Sequence, residues 1–390
     1  MTLPVYLDNH ATTRVDPRAL GAMLPFFAED YGNAASKQHA FGWRAEAAVE
    51  LARRQVASLV GASPDEVIFT SGATESVNLA LKGVVTAAPA ERNHVITAAT
   101  EHRAVLDTCS SLARAGLDVT VIPVDRFGLV DPDDVRRSIT SKTILVSIMA
   151  ANNEIGTVSA FEEIGRICRD HEVPYHTDAT QAAGKIPLRA ATADLLSLSA
   201  HKMYGPKGIG ALVIRARRPP VRLVPLLEGG GHERGLRSGT LNVPAIVGFG
   251  VAAEIAVNEM ATESGRISGL RDRLIGGLRE ALDEVRVNGH PESRLPNNAS
   301  LLFPGANADR VMMSMKDIAV SSGSACSSAL PGPSHVLQAI GLSGEESLCT
   351  IRFGLGRFTT PEEIEYAIGR VAEAVRQTRA AQRLTVMEQT

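Results

Sequence analysis

A lysine in surroundings suited to covalent catalysis follows an apolar run of the chain. Lys202 stands in SAHKMYGPKG, the segment at residues 199–208, among small residues and glycines. An amine buried at such a point has a lowered pKa and could form a Schiff base with a carbonyl compound. The alternative is an ordinary surface lysine, so the interpretation needs support from other residues.

Asp178 ends a second apolar run, in the segment YHTDATQ at residues 175–181. A carboxylate at that point would be partly removed from water and would need a cationic partner. A protonated pyridine nitrogen is such a partner, and the carboxylate would keep the ring an electron sink. An aspartate that caps a helix is the alternative.

Two further segments at the ends of apolar runs contain residues suited to a ligand. Residues 70–76, TSGATES, lead into a helix pattern and predict a phosphate site, because amides and the dipole at a helix N-terminus favour an anion. A capping box explains the same residues without a ligand. His102 would lie over a bound ring, or else be a structural histidine. Residues 152–156, NNEIG, indicate a turn.

The chain contains 4 cysteines in 390 residues, which is too few for a disulfide framework. Cys326 lies in SSGSACSSALPGP, a run of small residues that predicts an exposed loop with a reactive thiol. Cys109, Cys168 and Cys349 lie in helix or strand patterns, and we expect them to pack as small apolar residues.

Together these residues describe one site, with a Schiff-base lysine, a pyridinium aspartate, a phosphate cradle, a stacking histidine and a loop thiol. A dinucleotide-binding loop fits less well, because the glycines at residues 205–210 have the wrong spacing and precede a strand. The sequence has no Walker lysine motif and no His/Cys spacing for a metal. We therefore expect no metal.

Short β-branched runs alternate with amphipathic helices and must position these residues. The runs lie at residues 66–69, 94–97, 119–122, 143–148, 173–176, 195–198 and 210–214. This alternation predicts an α/β fold with a mainly parallel, seven-stranded sheet whose strands are buried on both faces. Ligands of such sheets bind at the carboxyl ends of the strands, where the residues above stand.

A long helix pattern at residues 245–284 leads into a remainder that indicates a smaller α+β domain. We expect a large, cofactor-binding domain at residues 14–257. Residues 1–13 and 258–390 would form the small domain, which carries the Cys326 loop.

Composition narrows the class of protein. The formal net charge is -3 and apolar residues make up 44% of the chain, as in a soluble globular protein. No basic block could neutralise a nucleic-acid backbone, so nucleic acid is not an expected partner. The N-terminus has no signal pattern, and no uninterrupted apolar run reaches about 18 residues. We expect a cytoplasmic protein with no membrane contact.

The sequence resembles the cysteine desulfurases of iron–sulfur cluster assembly, which have the aminotransferase-like type I fold of pyridoxal-phosphate enzymes and are related to class V aminotransferases. The resemblance runs from LDNHATT at residues 7–13 to IRFGLGRFT at residues 351–359, nearly the whole chain. It is closest around Thr74, Asp178, Lys202 and Cys326, and at residues 229–240.

The resemblance implies pyridoxal 5'-phosphate as the cofactor. Lys202 would hold it as a Schiff base, Asp178 would bind the ring nitrogen, and Gln181 would reach the ring hydroxyl. His102 would stack on the ring and assist proton transfer. The phosphate would be held by Ala73, Thr74, Ser199 and His201 and, from the other subunit of a homodimer, by Thr240.

The resemblance also implies L-cysteine as the substrate. Asn153 and Arg352 would bind it, with the guanidinium as a bidentate fork for the carboxylate. Freed Lys202 would be the base for the α proton. The thiolate of Cys326 would then take the sulfur as a persulfide and leave alanine.

A sulfur-acceptor protein would receive the persulfide sulfur for iron–sulfur clusters or other thiolation. SGSAC at residues 322–326 resembles the housekeeping branch, although the prolines and glycines after it differ from the usual pattern. The sequence ends without the extension by which housekeeping members dock a cluster scaffold, so it does not identify the acceptor.

Three alternatives remain at this point. Two are enzymes of the same fold, a selenocysteine lyase and an aminotransferase, and the second needs no loop thiol. The third is a catalytically silent member that only binds partners. The presence of Lys202, Asp178 and Cys326 argues against this third alternative.

Overall fold

The structure is a computed structural model that describes residues 3–217, 219–322 and 332–387, with side chains up to residue 382. Cys326 lies outside the described residues.

Strands and helices alternate through the described ranges, as the pattern of apolar runs predicts. The strands are β1 (Val5–Tyr6), β2 (Val67–Thr70), β3 (His94–Ala98), β4 (Asp118–Ile122), β5 (Thr143–Ser147), β6 (Tyr175–Asp178), β7 (Leu195–Ser199), β8 (Gly210–Ile214), β9 (Arg286–Val287), β10 (Asn298–Leu302), β11 (Ile318–Ala319) and β12 (Thr350–Gly354). The helices are α1 (Pro17–Met23), α2 (Pro25–Ala28), α3 (Ala40–Val60), α4 (Ala73–Ala87), α5 (Arg103–Arg114), α6 (Pro132–Ser138), α7 (Phe161–Asp170), α8 (Val243–Ala281), α9 (Ala308–Ser314), α10 (His335–Ala339), α11 (Gly344–Leu348) and α12 (Pro361–Met387).

A seven-stranded sheet forms the centre of the fold, with the strand order β2-β8-β7-β6-β5-β3-β4. Its neighbours are parallel except at β8, which runs antiparallel to both β2 and β7. The connection from β7 to β8 covers only residues 200–209, and such a short link cannot make the crossover that a parallel pair requires. The prediction of a mainly parallel α/β sheet is confirmed.

Two details of the predicted strands are wrong. β4 lies at the edge of the sheet and is only partly buried, with Val121 50% exposed. Glu66 belongs to a short 3-10 turn before β2, because its side chain and Ser63 form a capping box there. The prediction had β4 buried on both faces and Glu66 inside the strand.

A three-stranded antiparallel sheet in the order β12-β10-β9 and a parallel pair of β1 with β11 form the second sheet region. Its core includes Leu274 of α8, Leu301 of β10, Phe353 of β12 and Val371 of α12. Val5 of β1 belongs to the same cluster, so segments from near both ends of the described chain pack together in it. The domain boundaries at residues 13/14 and 257/258 stay a prediction, and α8 passes through the second of them without a break.

One described helix, α8, is long and apolar enough to cross a membrane by length and composition alone, with a mean hydropathy of 1.4 over its most apolar window. However, 56% of that window is buried inside the protein. The helix packs against α1, α3 and α12. These contacts are those of a core helix.

Candidate active site

A cavity of about 540 Å³ opens at the carboxyl ends of the parallel strands. The predicted site residues that line it are Ala73, Thr74, His102, Asn153, Asp178, Gln181, Ser199, His201, Lys202 and Arg352. Thr240 is exposed and is not part of the cavity wall. The fold therefore brings together the predicted residues from six different segments of the chain, except Thr240 and Cys326, which lies outside the described residues.

Lys202 closes the 3-10 turn that follows β7. Its Nζ donates hydrogen bonds to the carbonyl oxygens of His10 and Ala11, both at 2.6 Å. The side chain is partly buried, unlike that of an ordinary surface lysine. The short antiparallel return into β8 thus places the amine inside the cavity and not on the outer surface.

Asp178 is the last residue of β6 and is buried. Its Oδ1 accepts a hydrogen bond from the backbone amide of Thr180 at 2.9 Å. This bond closes a turn and caps no helix, because residues 180–185 form turns, so the helix-capping alternative is wrong. Asp178 also lines the cavity, as its proposed contact with a ligand requires.

The N-terminus of α4 has the features of an anion site. Gly72 precedes the helix with a φ of 151°, a backbone conformation that favours glycine, and no side chain within the described ranges caps the first turn. The carboxylate of Glu75 accepts instead from the amide of Ser71 at 2.8 Å and pairs with Arg237 at 3.0 Å. A capping box needs an N-cap side chain that accepts from a backbone amide of the first turn, and Gly72 has no side chain. The capping-box alternative is therefore not supported, and the first amides of α4 remain available to an anion.

His102 has a structural role as well as a place in the cavity wall. It is the N-cap of α5, and its Nδ1 accepts a hydrogen bond from the amide of Ala104 at 3.1 Å. The proton of the neutral imidazole therefore lies on Nε2.

Arg352 on β12 is only 2% exposed. Its Nη1 donates to the carbonyl oxygen of Asn153 at 2.9 Å, and its Nη2 donates to Asp8 at 3.0 Å. Its buried Nε has no partner among the described residues. An unpaired buried donor is costly, and a carboxylate ligand would satisfy it.

The segment after β1 was not assigned any role from the sequence, although it forms one wall of the cavity. His10 bonds to Gln181 through Nδ1 at 2.9 Å, and the hydroxyl of Thr12 lies 3.1 Å from Nδ1 of His201. Burial and the nearby charge of Lys202 lower the pKa of His201 to about 4. A polar LDNHATT run next to a short strand was the available signal.

The other cysteines are packing residues, as predicted. Cys109, Cys168 and Cys349 are buried, with exposed fractions of 2%, 0% and 5%. Burial raises the pKa of Cys109 and Cys168 to about 12. Both are therefore protonated at neutral pH and are poor nucleophiles.

The chain is similar to proteins whose class is known. Residues 5–367 match the family model Aminotransferase class-V. The cysteine desulfurase IscS of Anaeromyxobacter sp. strain Fw109-5 is 56% identical, over 97% of this chain and 94% of that protein. The corresponding protein of Rickettsia rickettsii strain Iowa is 48% identical over 100% of this chain and 95% of its own length.

Solved structures agree with the sequence relatives. A NifS-like protein superposes with a TM-score of 0.89 at 40% identity, covering 95% of this chain and 99% of that chain. SspA in complex with cysteine gives a TM-score of 0.79 at 38% identity, covering 91% and 100%. The chain therefore belongs to the cysteine desulfurases within the class-V aminotransferase family.

Proposed function

We propose that this chain removes sulfur from L-cysteine and releases L-alanine, with pyridoxal 5'-phosphate in the cavity and Cys326 as the first sulfur acceptor. The observation that carries the proposal is the convergence of Lys202, Asp178 and Arg352 on one cavity. The names of the relatives and the solved neighbour with bound cysteine support the same substrate.

The residues of the cavity fit a pyridine ring with a phosphate. The uncapped amides at the start of α4, near Ala73 and Thr74, suit the phosphate. Ser199 and His201 line the same cavity. The buried carboxylate of Asp178 suits a protonated ring nitrogen. When bound there, the pyridinium ring supplies an electron sink for the carbanion at the substrate's α carbon.

Lys202 serves two purposes in this proposal. Its amine would anchor the cofactor covalently and, when free, would take up the α proton of the substrate and return it. The carbonyl oxygens of His10 and Ala11 hold the amine in place. His102, which lines the same cavity, would cover the ring and assist the proton transfer.

Arg352 and Asn153 bind the substrate. The buried Nε of Arg352 offers the carboxylate a donor that no described residue occupies. Its other two nitrogens are already held by Asn153 and Asp8, so the guanidinium plane is fixed before substrate arrives. A preorganised fork loses less entropy on binding than a free one.

The sulfur transfer requires no external oxidant. The thiolate of Cys326 attacks the substrate sulfur, so an S–S bond forms as the bond from sulfur to the β carbon breaks. The electron pair of the broken bond remains with the carbon framework, which takes up a proton and leaves as alanine. The persulfide then passes to a sulfur-acceptor protein for iron–sulfur cluster assembly or another thiolation.

The proposal includes a cytoplasmic homodimer in which Thr240 completes the phosphate site of the other subunit. Large exposed apolar side chains on α2, on α3 and in the segment between them support it, because exposed apolar surface of this kind marks association sites. Phe27, Tyr31 and Trp43 are 62%, 66% and 55% exposed in the single chain. The position of Thr240 at the surface of the single chain, outside the cavity wall, is also compatible with a contribution across an interface.

Incubation of the purified protein with L-cysteine and a thiol reductant tests the proposal. Sulfide and alanine should appear in equal amounts, and borohydride should fix the cofactor on the peptide that contains Lys202. An aminotransferase would instead form a keto acid without sulfide. A selenocysteine lyase would release selenide from selenocysteine but no sulfide from cysteine. Either result would contradict the proposal.

A further inference from the structure

His10 is a buried histidine whose side chain the proposed mechanism does not use. It is 1% exposed and lies between the two sheet regions, because its partners come from β10 and from the turn after β6. Its Nδ1 lies 2.9 Å from Oε1 of Gln181, and its Nε2 lies 3.2 Å from Nδ2 of Asn298. The imidazole of His10 thus links the three-stranded sheet, through Asn298, to the cavity, through Gln181.

His10 belongs to a series of hydrogen-bonded side chains whose donors and acceptors are fixed at one end. The fixed groups are an arginine, which can only donate, and a backbone carbonyl, which can only accept. Arg294, which can only donate, contacts Oδ1 of Asn298 at 3.3 Å, and Nδ2 of Asn298 donates to the carbonyl oxygen of Glu154 at 3.0 Å. The Asn298 amide nitrogen therefore faces His10, whose Nε2 accepts. The proton of the neutral ring must then lie on Nδ1, which donates to Oε1 of Gln181.

Gln181 is held from a second direction as well. Its Nε2 donates to the backbone carbonyl oxygen of His10 at 3.1 Å. If the amide rotated by half a turn, its nitrogen would face the Nδ1 proton and its oxygen would face a carbonyl oxygen. Both contacts would be repulsive, so the observed orientation is strongly preferred.

The charges around His10 keep the imidazole neutral. Burial, followed by the charge of Arg352, lowers the pKa of His10 well below its ordinary value, and Lys185 and Lys202 act in the same direction. The hydrogen bond to Gln181 opposes this shift but does not cancel it. The donor on Nδ1 is therefore present throughout the working pH range.

We propose that His10 is a positioning residue that fixes the side-chain amide of Gln181, so that the amide nitrogen serves the ring hydroxyl of the cofactor. This inference rests on the proposed function, because it assumes that the cofactor occupies the cavity. An amide carries two N–H groups, and only one of those on Gln181 is used by the carbonyl of His10. A disordered amide would present its oxygen to the ring oxygen part of the time and weaken binding.

Cofactor titration of the apoenzyme tests this role without reference to turnover. His10→Leu should lower the affinity for pyridoxal phosphate about tenfold, which equals about 1.4 kcal/mol. It should also shift the pH at which the visible absorption band changes, in the same direction as Gln181→Leu. The double variant should show no more than the effect of Gln181→Leu, because His10 acts through that residue.

Two conservative variants form the matched control. The amide nitrogen of asparagine lies about where Nδ1 of histidine lies, so His10→Asn should restore the wild-type band. The amide of glutamine lies about where Nε2 lies, so His10→Gln should behave like His10→Leu. This pair also decides the matter if the leucine variant fails to fold.

The two proposals fail in different ways. A wild-type protein that binds no pyridoxal phosphate would overturn the proposed function and this inference together. Normal cofactor binding by the wild type, with effects of His10→Leu and Gln181→Leu that simply add, would overturn only the role of His10. Identical bands for His10→Asn and His10→Gln would do the same.

Discussion

The carboxylate of Asp8 accepts a 3.0 Å hydrogen bond from Nη2 of Arg352, a residue 344 positions away in the sequence. The pair links the segment that follows β1 with strand β12. It also sets the plane of the guanidinium of Arg352, a residue that is 2% exposed. Asp8 thus acts on the proposed substrate site without lining the cavity.

Asp8→Ala should therefore impair substrate binding more than turnover. Without its partner the guanidinium can rotate away from the substrate carboxylate, so KM for cysteine should rise about tenfold, the effect of about 1.4 kcal/mol. The value of kcat should change much less. Asp8→Asn keeps an acceptor oxygen and is the control, with a KM close to that of the wild type. An unchanged KM in the alanine variant would show that Asp8 does not position Arg352.

Asp178 should be required for both cofactor binding and turnover. Under the proposed function, Asp178→Ala would remove the negative charge that holds the proton on the ring nitrogen, and the ring would lose its capacity as an electron sink. We expect weak cofactor binding and loss of most activity, at least about a hundredfold. Asp178→Glu keeps the charge and should retain part of the activity. Near-normal sulfide release by the alanine variant would limit Asp178 to its bond with Thr180.

His176 should contribute to acid sensitivity. It is fully buried between Ser147 and Ser197, with ring contacts of 2.8 and 2.9 Å, and burial lowers its pKa to about 4. The unfolded chain binds a proton near pH 6.5, so the folded state loses stability as the pH falls from about 6.5 through about 4, by at most about 1.4 kcal/mol per pH unit. His176→Asn should show a smaller drop in urea midpoint over that range. A drop as steep as that of the wild type would contradict the assignment.

Glu101 should have the opposite pH dependence. It is 0% exposed, its Oε1 accepts from the amide of Met149 at 2.6 Å, and burial raises its pKa well above the ordinary value. A raised pKa means that the group stabilises the fold fully below its unfolded pKa and that this contribution is lost as the pH rises through the folded value.

Glu101→Gln removes that titration but keeps an acceptor oxygen for Met149. The urea midpoint of the variant relative to the wild type should therefore rise with pH. Circular dichroism at a series of pH values measures it. A difference that stays constant with pH would mean that Glu101 is charged in the folded protein.

The strand pattern could be predicted from the sequence because buried parallel strands carry a local signal in their β-branched residues. The direction of β8 could not be predicted in this way, since it depends on the length of the link that carries Lys202. The exposure of β4 follows from the strand order, which depends on contacts between distant segments.

The same distinction applies to the site. Lys202 and Asp178 stand at the ends of apolar runs, where a local rule finds them. His10 and Gln181 are 171 residues apart, and no periodicity links them. The part of Asp8 in holding Arg352 was missed for the same reason, although the resemblance included both segments.

The sulfur acceptor is the central claim, and mass spectrometry after brief exposure to cysteine tests it most directly. We expect one added sulfur on the peptide that contains Cys326. Cys326→Ala should still bind pyridoxal phosphate but release almost no sulfide. The matched control is Cys109→Ala, which removes a buried thiol and should keep nearly the wild-type rate of sulfide release. An added sulfur on Cys109, Cys168 or Cys349, or normal sulfide release by Cys326→Ala, would contradict the account.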